Sequence, residues 1–306
     1  MSVRAGVERT IEHRMIAVVG SCNVDFVVPV ASLPGPGETV LGGDHLRVPG
    51  GKGANQSVAA AKLGSPVAFV GCVGEDALAP TILSALDGAG VDTSWLRRVP
   101  DAPSGIALIT VADGGENTIA VSPGANARLG PADIEAAGSL LADAAVTVVQ
   151  LEISLDAVSA AVRAAGGLVV LNPAPARELP ADLLAGVDVL VPNRSELALL
   201  AGAPEPSTPD EAATLAAGLA GPKAVVVTLG ADGALVVADG EHTHVPATKV
   251  DAVDATGAGD AFCGALADGL ARGESLVAAT EWAVRVAGRS TTRWGAQSSP
   301  TRAELS

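Results

Sequence analysis

The chain has 306 residues, of which 48% are hydrophobic, enough for one large α/β domain or two ordinary ones. Only 2% are aromatic and none is tyrosine, so a stacking platform for single-stranded nucleic acid is hard to build. The formal charge of −15 argues against nucleic acid or an anionic membrane as a partner, because both require a basic surface. An anionic ligand would have to be attracted by a local site.

The chain begins with a charged segment. Residues 1–14 read MSVRAGVERTIEHR and lack the apolar run of a signal peptide. No stretch of the sequence approaches the ~18 continuous apolar residues of a membrane span. Because the first strand-like run begins at Met15, we expect residues 1–14 to be a disordered tail and residues 15–306 to form the functional domain. We expect a cytoplasmic protein.

Short β-branched runs then alternate with longer segments rich in Ala and Leu. This alternation predicts an α/β fold in which a central, mostly parallel sheet is flanked by helices on both faces. The predicted strands are 16–19, 67–71, 146–151, 168–171, 187–191, 224–229 and 234–238. The predicted helices lie near 53–63, 77–89, 131–143, 155–165, 195–201, 210–220, 258–272 and 275–290.

Two stretches do not follow this alternation. Residues 24–48 and 104–122 contain alternating strand patterns separated by Pro and Gly turns, with no helix between the strands. They predict a small antiparallel β-sheet outside the central one, which would act as a lid over one end. The Pro-rich segment 203–210 predicts a surface loop before a helix.

Cysteine and histidine do not indicate a metal centre. Cys22, Cys72 and Cys263 are widely spaced and form no C-x-x-C pair, so neither a disulfide framework nor a zinc site is predicted. Thiols in a reducing cytosol are the simpler interpretation. His242 and His244 alternate on a predicted strand, which favours two residues on one solvent-facing side.

The first polar motif, GSCNVD at 20–25, directly follows the first predicted strand. In an extended chain Asn23 and Asp25 face one side, while Cys22 and Val24 face the other. An amide and a carboxylate on one face suit the hydroxyl groups of a sugar. An Asx turn leaving the strand explains either residue alone equally well.

The second motif, PGGKGANQS at 49–57, is a glycine-rich turn that leads into a helix. Gly51 and Gly53 would let a small polar ligand lie against the backbone, and Asn55 falls in the first helical turn. A tight turn that needs glycine for its conformation is an equally good interpretation. The segment is not a Walker A loop, because Lys52 is followed by glycine rather than Ser or Thr.

The third motif, DATGAGDAF at 254–262, is a turn that opens an apolar helix. The first-turn N–H groups and the positive end of the helix dipole form an anion site, which Gly257 and Gly259 would let a phosphate approach. Asp260 is then either a simple helix cap or a general base. As a base, it would take a proton from an attacking hydroxyl while the N–H groups hold the transferred group.

In this order and spacing, the three motifs resemble those of the PfkB family, the ribokinase-type carbohydrate kinases. The last two match both signature regions of the family. The similarity runs from about Met15 to the C-terminus, and GGKGANQ together with NPAPARELP is most similar to the family members that phosphorylate ribose. The resemblance implies transfer of a phosphoryl group from ATP to the 5-hydroxyl of D-ribose, giving ribose 5-phosphate and ADP.

The resemblance also implies which residues form the site. Asp260 would be the general base, and Gly257, Ala258 and Gly259 would form an anion hole for the γ-phosphoryl group. The positions that match sugar contacts are Asn23, Asp25, Gly51, Lys52, Asn55, Glu152 and Asp260. The positions that match nucleotide contacts are Asn193, Thr228, Leu229, Gly230, Ala231, Asp232, Gly233, Gly259 and Asp260.

Two metal ions follow from the same resemblance. Glu196 of the N-x-x-E motif would act on Mg²⁺ indirectly. A monovalent cation, usually K⁺, would help to organise the anion-hole turn, in several cases through backbone carbonyl groups. The positions that match its ligands are Asp254, Thr256, Ser290, Arg293, Gly295 and Ser299. Val284 stands where some members have a histidine near the adenine, and the family's lids pair two subunits, so a homodimer is expected.

Other functions are weighed against this one. A kinase for deoxyribose, fructose or adenosine would use the same fold, although a site for a nucleobase usually needs an aromatic ring or a large apolar slot. A non-catalytic binding protein is disfavoured because Asp260, Gly257 and Gly259 are retained. An oxidoreductase that uses a nicotinamide cofactor is disfavoured because no G-x-G-x-x-G follows the first strand.

Overall fold

The structure, a computed structural model, describes residues 14–305. The tail predicted at 1–14 lies outside the described residues except for Arg14, so its boundary with the domain stays a prediction. None of the helices within the described part of the chain has both the length and the apolar character needed to cross a bilayer.

The described residues form thirteen strands and ten α-helices. The strands are β1 (Ile16–Val19), β2 (Asn23–Val30), β3 (Leu46–Gly50), β4 (Val67–Gly74), β5 (Leu96–Val99), β6 (Gly105–Ala112), β7 (Asn117–Ser122), β8 (Val146–Val149), β9 (Leu168–Leu171), β10 (Val189–Leu190), β11 (Ala224–Thr228), β12 (Ala234–Ala238) and β13 (Glu241–Val245). The helices are α1 (Lys52–Lys62), α2 (Ala79–Gly88), α3 (Pro131–Ala136), α4 (Gly138–Asp143), α5 (Leu155–Ala164), α6 (Ala181–Ala185), α7 (Arg194–Ala201), α8 (Pro209–Ala217), α9 (Ala258–Ala271) and α10 (Leu276–Ser290).

Nine strands form the central sheet, in the order β13-β12-β11-β10-β9-β8-β1-β4-β5. From β11 to β5 every neighbouring pair is parallel, and only the β11–β12 and β12–β13 pairs are antiparallel. The predicted mostly parallel sheet is confirmed.

Both faces of this sheet are covered, as the continuous apolar strands require. In β1, Ile16 and Val18 pack into one core, whereas Ala17 and Val19 pack into the other, because successive side chains point to opposite faces. The first core contains residues of α1, α2, α9 and α10, and the second contains residues of α3 to α8. The sheet is therefore the middle layer of three.

The strands predicted within 24–48 and 104–122 form a separate four-stranded sheet in the order β3-β2-β6-β7. Its outer pairs, β2–β3 and β6–β7, are antiparallel as expected, while the central β2–β6 pair is parallel. Between β2 and β6 the chain forms β3, α1, β4, α2 and β5. This long connection lets β6 return to the side of β2 in the same direction, so the two strands pair in parallel. Only three residues separate the end of β1 from the start of the second sheet.

The predicted elements differ from the observed ones mainly where the signal is short. The helix predicted at 131–143 is two helices that meet at Ala137, and the strand predicted at 187–191 keeps only two paired residues. The strand β5 was not predicted, because its LRRV sequence carries two exposed arginines on a sheet edge. The helix α6 was not predicted, because its five residues are too few to show a helical period of apolar side chains.

The polar motifs collect at the carboxyl ends of the central strands. Gly20 follows β1, Gln150 follows β8, Asn172 follows β9 and Asn193 follows β10 by three residues. The strand β1 also marks the point where the strand order reverses direction, between β8 and β4. Open α/β sheets bind ligands at such a crevice, so this end of the sheet is where the functional site is expected.

Candidate active site

Two helices bring the second and third motifs together. The helix α9 packs against α1, and Gly264 permits the close approach, because a Cβ there would lie 2.6 Å from the carbonyl oxygen of Gln56. Asp260, in the first turn of α9, consequently faces the side chains of the first turns of α1.

Asp260 is 7% exposed, and its carboxylate is held by two amides. Its Oδ2 accepts a hydrogen bond from Asn55 Nδ2 at 2.9 Å, and its Oδ1 accepts one from Gln56 Nε2 at 3.0 Å. Burial raises the pKa of Asp260, while the Lys52 charge and the two amide hydrogen bonds oppose this rise. A buried, oriented carboxylate with a raised pKa has the character of a general base.

The turn before Asp260 has the conformation of an anion site. Gly257 has φ 74° and precedes the first helical residue, and a Cβ there would lie 2.4 Å from the carbonyl oxygen of Ala296. Only glycine therefore fits this position. Gly259 is exposed, with open space where a Cβ would be. The first N–H groups of a helix have no intrahelical acceptor. The Ala258 N–H donates to the carbonyl oxygen of Ala255 at 3.1 Å, whereas those of Gly257 and Gly259 have no acceptor among the described residues and are available to an anion.

Asp254 braces this turn from the other side. Its Oδ1 accepts the backbone N–H of Thr256 at 2.9 Å, and its Oδ2 accepts that of Gly295 at 2.8 Å. Burial raises the pKa of Asp254, but hydrogen bonds from Thr256 and Gly295 outweigh this effect and lower it. The C-terminal loop is thus tied to the turn by one carboxylate.

Asp25 and Asn23 point into the same region from β2. Asp25 is 8% exposed, and its carboxylate makes no hydrogen bond within the described residues. Burial and the charges of Glu152 and Asp260 raise its pKa to about 7, against a smaller opposing effect of Lys52. A buried carboxylate without donors requires an explanation, and a ligand that supplies hydroxyl groups is the simplest one.

Glu152 and Lys52 line the side of the site opposite Asp25 and Asn23. Glu152 Oε2 accepts hydrogen bonds from Ser21 Oγ at 2.5 Å and from the Lys52 N–H at 3.1 Å. Burial opposes the charge of Lys52, but Asp260 and Glu152 outweigh it and raise the lysine's pKa. Gly51 directly precedes α1 with φ 88°, and a Cβ there would lie 2.7 Å from the Cα of Cys22, so the two motifs touch through their backbones.

The loop at 228–233 lies beside the start of α7. Asn193 and Thr228 form a parallel bridge, and the Thr228 N–H donates to the carbonyl oxygen of Pro192 at 2.9 Å. The Asn193 side chain accepts the N–H of Glu196, and Glu196 Oε2 accepts that of Asn193, which caps the helix reciprocally. Residues 230–232 are exposed next to this cap, so the loop forms an open surface.

Comparison with known proteins decides the family. The pfkB family carbohydrate kinase model matches residues 13–302. The chain belongs to the pfkB family of carbohydrate kinases. It is 37% identical over 300 residues to a ribokinase from Haemophilus influenzae, covering 95% of this chain and 97% of that one.

Other pfkB-type proteins are similar over nearly the whole chain. A deoxyribokinase from Salmonella typhimurium is 40% identical over 290 residues, covering 93% of this chain and 94% of the relative. The structure of Arabidopsis thaliana ribokinase complexed with ribose and ATP superposes with a TM-score of 0.86 at 33% identity, covering 95% of this chain and 97% of that one. The predicted family and fold are confirmed.

The fold brings most of the predicted pfkB site residues to one crevice, and their roles stay predictions. Two of the predicted cation ligands already have partners within the protein. The Arg293 side chain pairs with Glu304 at 2.5 Å, and the Ser290 carbonyl oxygen accepts a hydrogen bond from Ser298 Oγ at 3.1 Å. Sequence reasoning missed four side-chain amides that hold the predicted residues directly or through one another. Three are buried and Asn172 is half-buried; they are Gln56, Asn126, Gln150 and Asn172. Gln56 and Asn172 lie within the quoted motifs, whereas Asn126 gave no signal.

Proposed function

We propose that the chain phosphorylates the 5-hydroxyl of D-ribose with ATP and releases ribose 5-phosphate and ADP. The observation that carries this proposal is the buried Asp260 carboxylate beside a glycine turn in which the N–H groups of Gly257 and Gly259 have no acceptor among the described residues. A base adjacent to an anion site is what attack of a hydroxyl on a phosphoryl group requires. Membership of the pfkB family supports the kinase class, and the two ribokinases described above support ribose.

Asp260 accepts the proton of the 5-hydroxyl as the hydroxyl oxygen attacks the γ-phosphorus. A new O–P bond forms, the bond from the γ-phosphorus to the β,γ-bridging oxygen breaks, and ADP leaves with that oxygen. The turn formed by Gly257, Ala258 and Gly259 holds the oxygens of the transferred phosphoryl group through its N–H groups, and the Ala258 N–H leaves the carbonyl oxygen of Ala255 to take part. Most of the rate enhancement comes from position and charge stabilisation.

The remaining residues hold the two substrates. Asp25, Asn23, Lys52 and Glu152 surround the sugar hydroxyl groups, and the unpaired carboxylate of Asp25 supports this assignment. Asn193 and the loop from Thr228 to Gly233 hold the nucleotide on the open surface beside α7. Val284, on α10, stands where some members of the family have a histidine near the adenine.

The oxygen-rich residues beside the site suit the two metal ions. Glu196 uses Oε2 for the Asn193 N–H, while Oε1 has no partner among the described residues and is available to a water on Mg²⁺. Mg²⁺ would neutralise charge on the transferred phosphate groups. Asp254, Thr256 and the C-terminal loop offer carboxylate and carbonyl oxygens, which are the donors that K⁺ prefers.

We also propose a homodimer formed through the second sheet. This sheet exposes large apolar side chains that a partner subunit would cover, namely Leu46, Leu108, Ile119 and Val121. Sedimentation equilibrium tests this, and a monomer at micromolar concentration would contradict it.

A coupled assay of ADP release tests the function. Ribose, deoxyribose, fructose and adenosine are compared with and without K⁺, and we expect the highest kcat/KM for ribose. Deoxyribose is the second candidate, because the Salmonella typhimurium deoxyribokinase is as similar as the ribokinases. A preference for fructose or adenosine, or no turnover of any of the four, would refute the proposal.

A further inference from the structure

A layer of buried side-chain amides lies directly behind Asp260. Gln56 is completely inaccessible to solvent, and its Nε2 donates to Asp260 Oδ1 at 3.0 Å and to Asn172 Oδ1 at 3.2 Å. Its Oε1 accepts Gln150 Nε2 at 2.7 Å. Both N–H groups and the oxygen of this amide are therefore used within the protein, and none is left for a substrate.

The neighbours of Gln56 fix which end of its amide faces Asp260. Asn172 donates from Nδ2 to the carbonyl oxygen of Val191 at 3.0 Å, so its Oδ1 must face Gln56. Gln150 presents an N–H group on the opposite side. Rotating the Gln56 amide by half a turn would set its oxygen against the Asp260 carboxylate and its N–H groups against those of Gln150. The network thus permits the one orientation that donates to the carboxylate.

Gln56 differs in this respect from Asn55, which also donates to Asp260. Asn55 belongs to the residues proposed to hold the sugar, and its Oδ1 accepts from Gln297 in the C-terminal loop at 3.2 Å. Gln56 is instead anchored to residues that directly follow β8 and β9. Within the described residues, it is the link that ties the carboxylate to the central sheet.

We propose that Gln56 is a positioning residue for the general base, acting on the reaction only through its hydrogen bond to Asp260 Oδ1. The inference rests on the proposed function, in which Asp260 takes the proton of the sugar hydroxyl. Without the Gln56 amide, the carboxylate can turn away from the hydroxyl, and the reacting atoms lose their alignment.

The same loss would change the titration of the base. A hydrogen bond from a neutral amide favours the charged carboxylate, so removing it raises the pKa of Asp260 and moves the acid limb of the rate profile to higher pH. The other ionisable groups that interact with Asp260 remain in place in this variant. They are Asp25 on β2, Lys52 on α1, Glu152 after β8, Glu196 on α7 and Cys263 on α9.

The test compares Gln56→Met with wild type over a range of pH. Methionine keeps the length of the side chain but offers no N–H donor. We expect kcat to fall about 10- to 100-fold, because the base loses its position while sugar contacts remain. The KM for ribose should stay within about threefold at pH 8, and the acid limb of kcat should move up by about one pH unit.

Ser57→Ala is the matched control. Ser57 is equally buried and follows Gln56 in α1, but its hydroxyl donates to the Gly53 carbonyl oxygen at 2.8 Å and not to the amide network. We expect its kcat and acid limb to match those of wild type. Circular dichroism and the melting temperature establish that each variant is folded.

A folded Gln56→Met variant with wild-type kcat and an unshifted acid limb would overturn the proposal, as would a change in KM alone. If that variant does not fold, Gln56→Glu decides, since a second carboxyl group beside Asp260 raises the acid limb if the contact governs the base. An unshifted limb in Gln56→Glu overturns the proposal. A wild type that turns over no sugar refutes the proposed function itself, whereas an active wild type with an unaltered Gln56→Met refutes only the role of Gln56.

Discussion

Asn126 donates from its Nδ2 to the Oδ1 of Asn23 at 2.8 Å, and this contact sets the orientation of the Asn23 amide. Because the oxygen of Asn23 is already occupied, its own N–H groups are the ones available to a ligand. Asn126 also binds both the N–H and the carbonyl oxygen of Cys22, each at 3.0 Å. A residue that follows the second sheet therefore holds the start of β2 in place.

Asn126→Asp should weaken sugar binding without slowing the chemical step. The substitution removes the donor to Asn23 and leaves an oxygen facing an oxygen, so we expect the KM for ribose to rise about tenfold. The kcat should change less than about twofold. Steady-state kinetics measure both, with Asn117→Asp on the exposed strand β7 as the control. An unchanged KM would show that the Asn23 orientation does not matter to the sugar.

Asp260→Asn should separate binding from catalysis. The amide has the same shape but cannot accept the hydroxyl proton, so we expect kcat to fall about 10²- to 10⁴-fold. Calorimetric titration should show that ribose and a non-hydrolysable ATP analogue still bind. Turnover close to that of wild type would contradict the assignment of Asp260 as the base.

The two glycines of the turn should respond differently to alanine. At Gly257 a Cβ meets the Ala296 carbonyl and φ is positive, so Gly257→Ala should lose about 1–3 kcal/mol of stability along with activity. At Gly259 a Cβ enters open space, so Gly259→Ala should keep its melting temperature. It should nevertheless lose most of its kcat, because the methyl group would stand where the phosphoryl group approaches. A fully active Gly259→Ala would refute an anion site at this turn.

Ribose affinity should depend on pH through Asp25. Its pKa is raised to about 7 by burial and by the charges of Glu152 and Asp260, so the carboxylate that would accept sugar hydroxyl groups is protonated below that pH. We expect the KM for ribose to rise as the pH falls from 8 to 6, and Asp25→Asn to have a high KM without this dependence. A wild-type KM that is flat over this range would contradict the prediction.

The raised pKa of Asp25 also predicts that the folded state becomes less stable as the pH rises, although ribose binding improves over the same range. Since the folded pKa of Asp25 exceeds the unfolded one, the folded state binds more protons, and stability falls as the pH rises from about 4 to about 7. Asp25→Asn removes this loss, so it should be more stable than wild type at pH 8, by at most about 4 kcal/mol. The stability advantage of Asp25→Asn should shrink toward pH 5. Denaturant unfolding at pH 8 and pH 5 measures the free energy of unfolding of both proteins, and an equal difference between them at both pH values would rule out the effect.

Asp268 should matter for stability rather than for catalysis. This completely buried carboxylate accepts hydrogen bonds from Trp282 Nε1 at 2.9 Å, Ser65 Oγ at 2.9 Å and Arg302 Nη2 at 2.7 and 2.9 Å. Asp268→Asn removes the charge that compensates Arg302 and the more buried Arg272, and it should cost about 3 kcal/mol or more. Denaturant unfolding measures this loss, with the exposed Asp113→Asn as the control. An unfolding midpoint of Asp268→Asn equal to that of wild type would contradict the predicted loss. The folded variant should keep the kcat of wild type.

The layered fold followed from local pattern. Short apolar strands that alternate with helical segments can be buried only in a parallel sheet covered on both faces, and the motif at 254–262 placed a glycine turn before α9. These features depend on neighbouring residues and on backbone rules that the sequence states directly. Local pattern did not bring the three motifs together, because only the first follows a parallel strand of the central sheet, whereas the second begins at the end of β3 and the third follows β13.

The sequence by itself thus determined the fold class, the family and the position of Asp260 at a helix N-terminus. Only the tertiary structure decided which polar side chains face one another. The contacts of Asp260 with Asn55 and Gln56 join residues 205 and 204 positions apart, and that of Asn126 with Asn23 spans 103. A buried amide and a solvent-facing amide look identical in one sequence, since burial depends on which elements pack against it, and packing is a property of the whole chain.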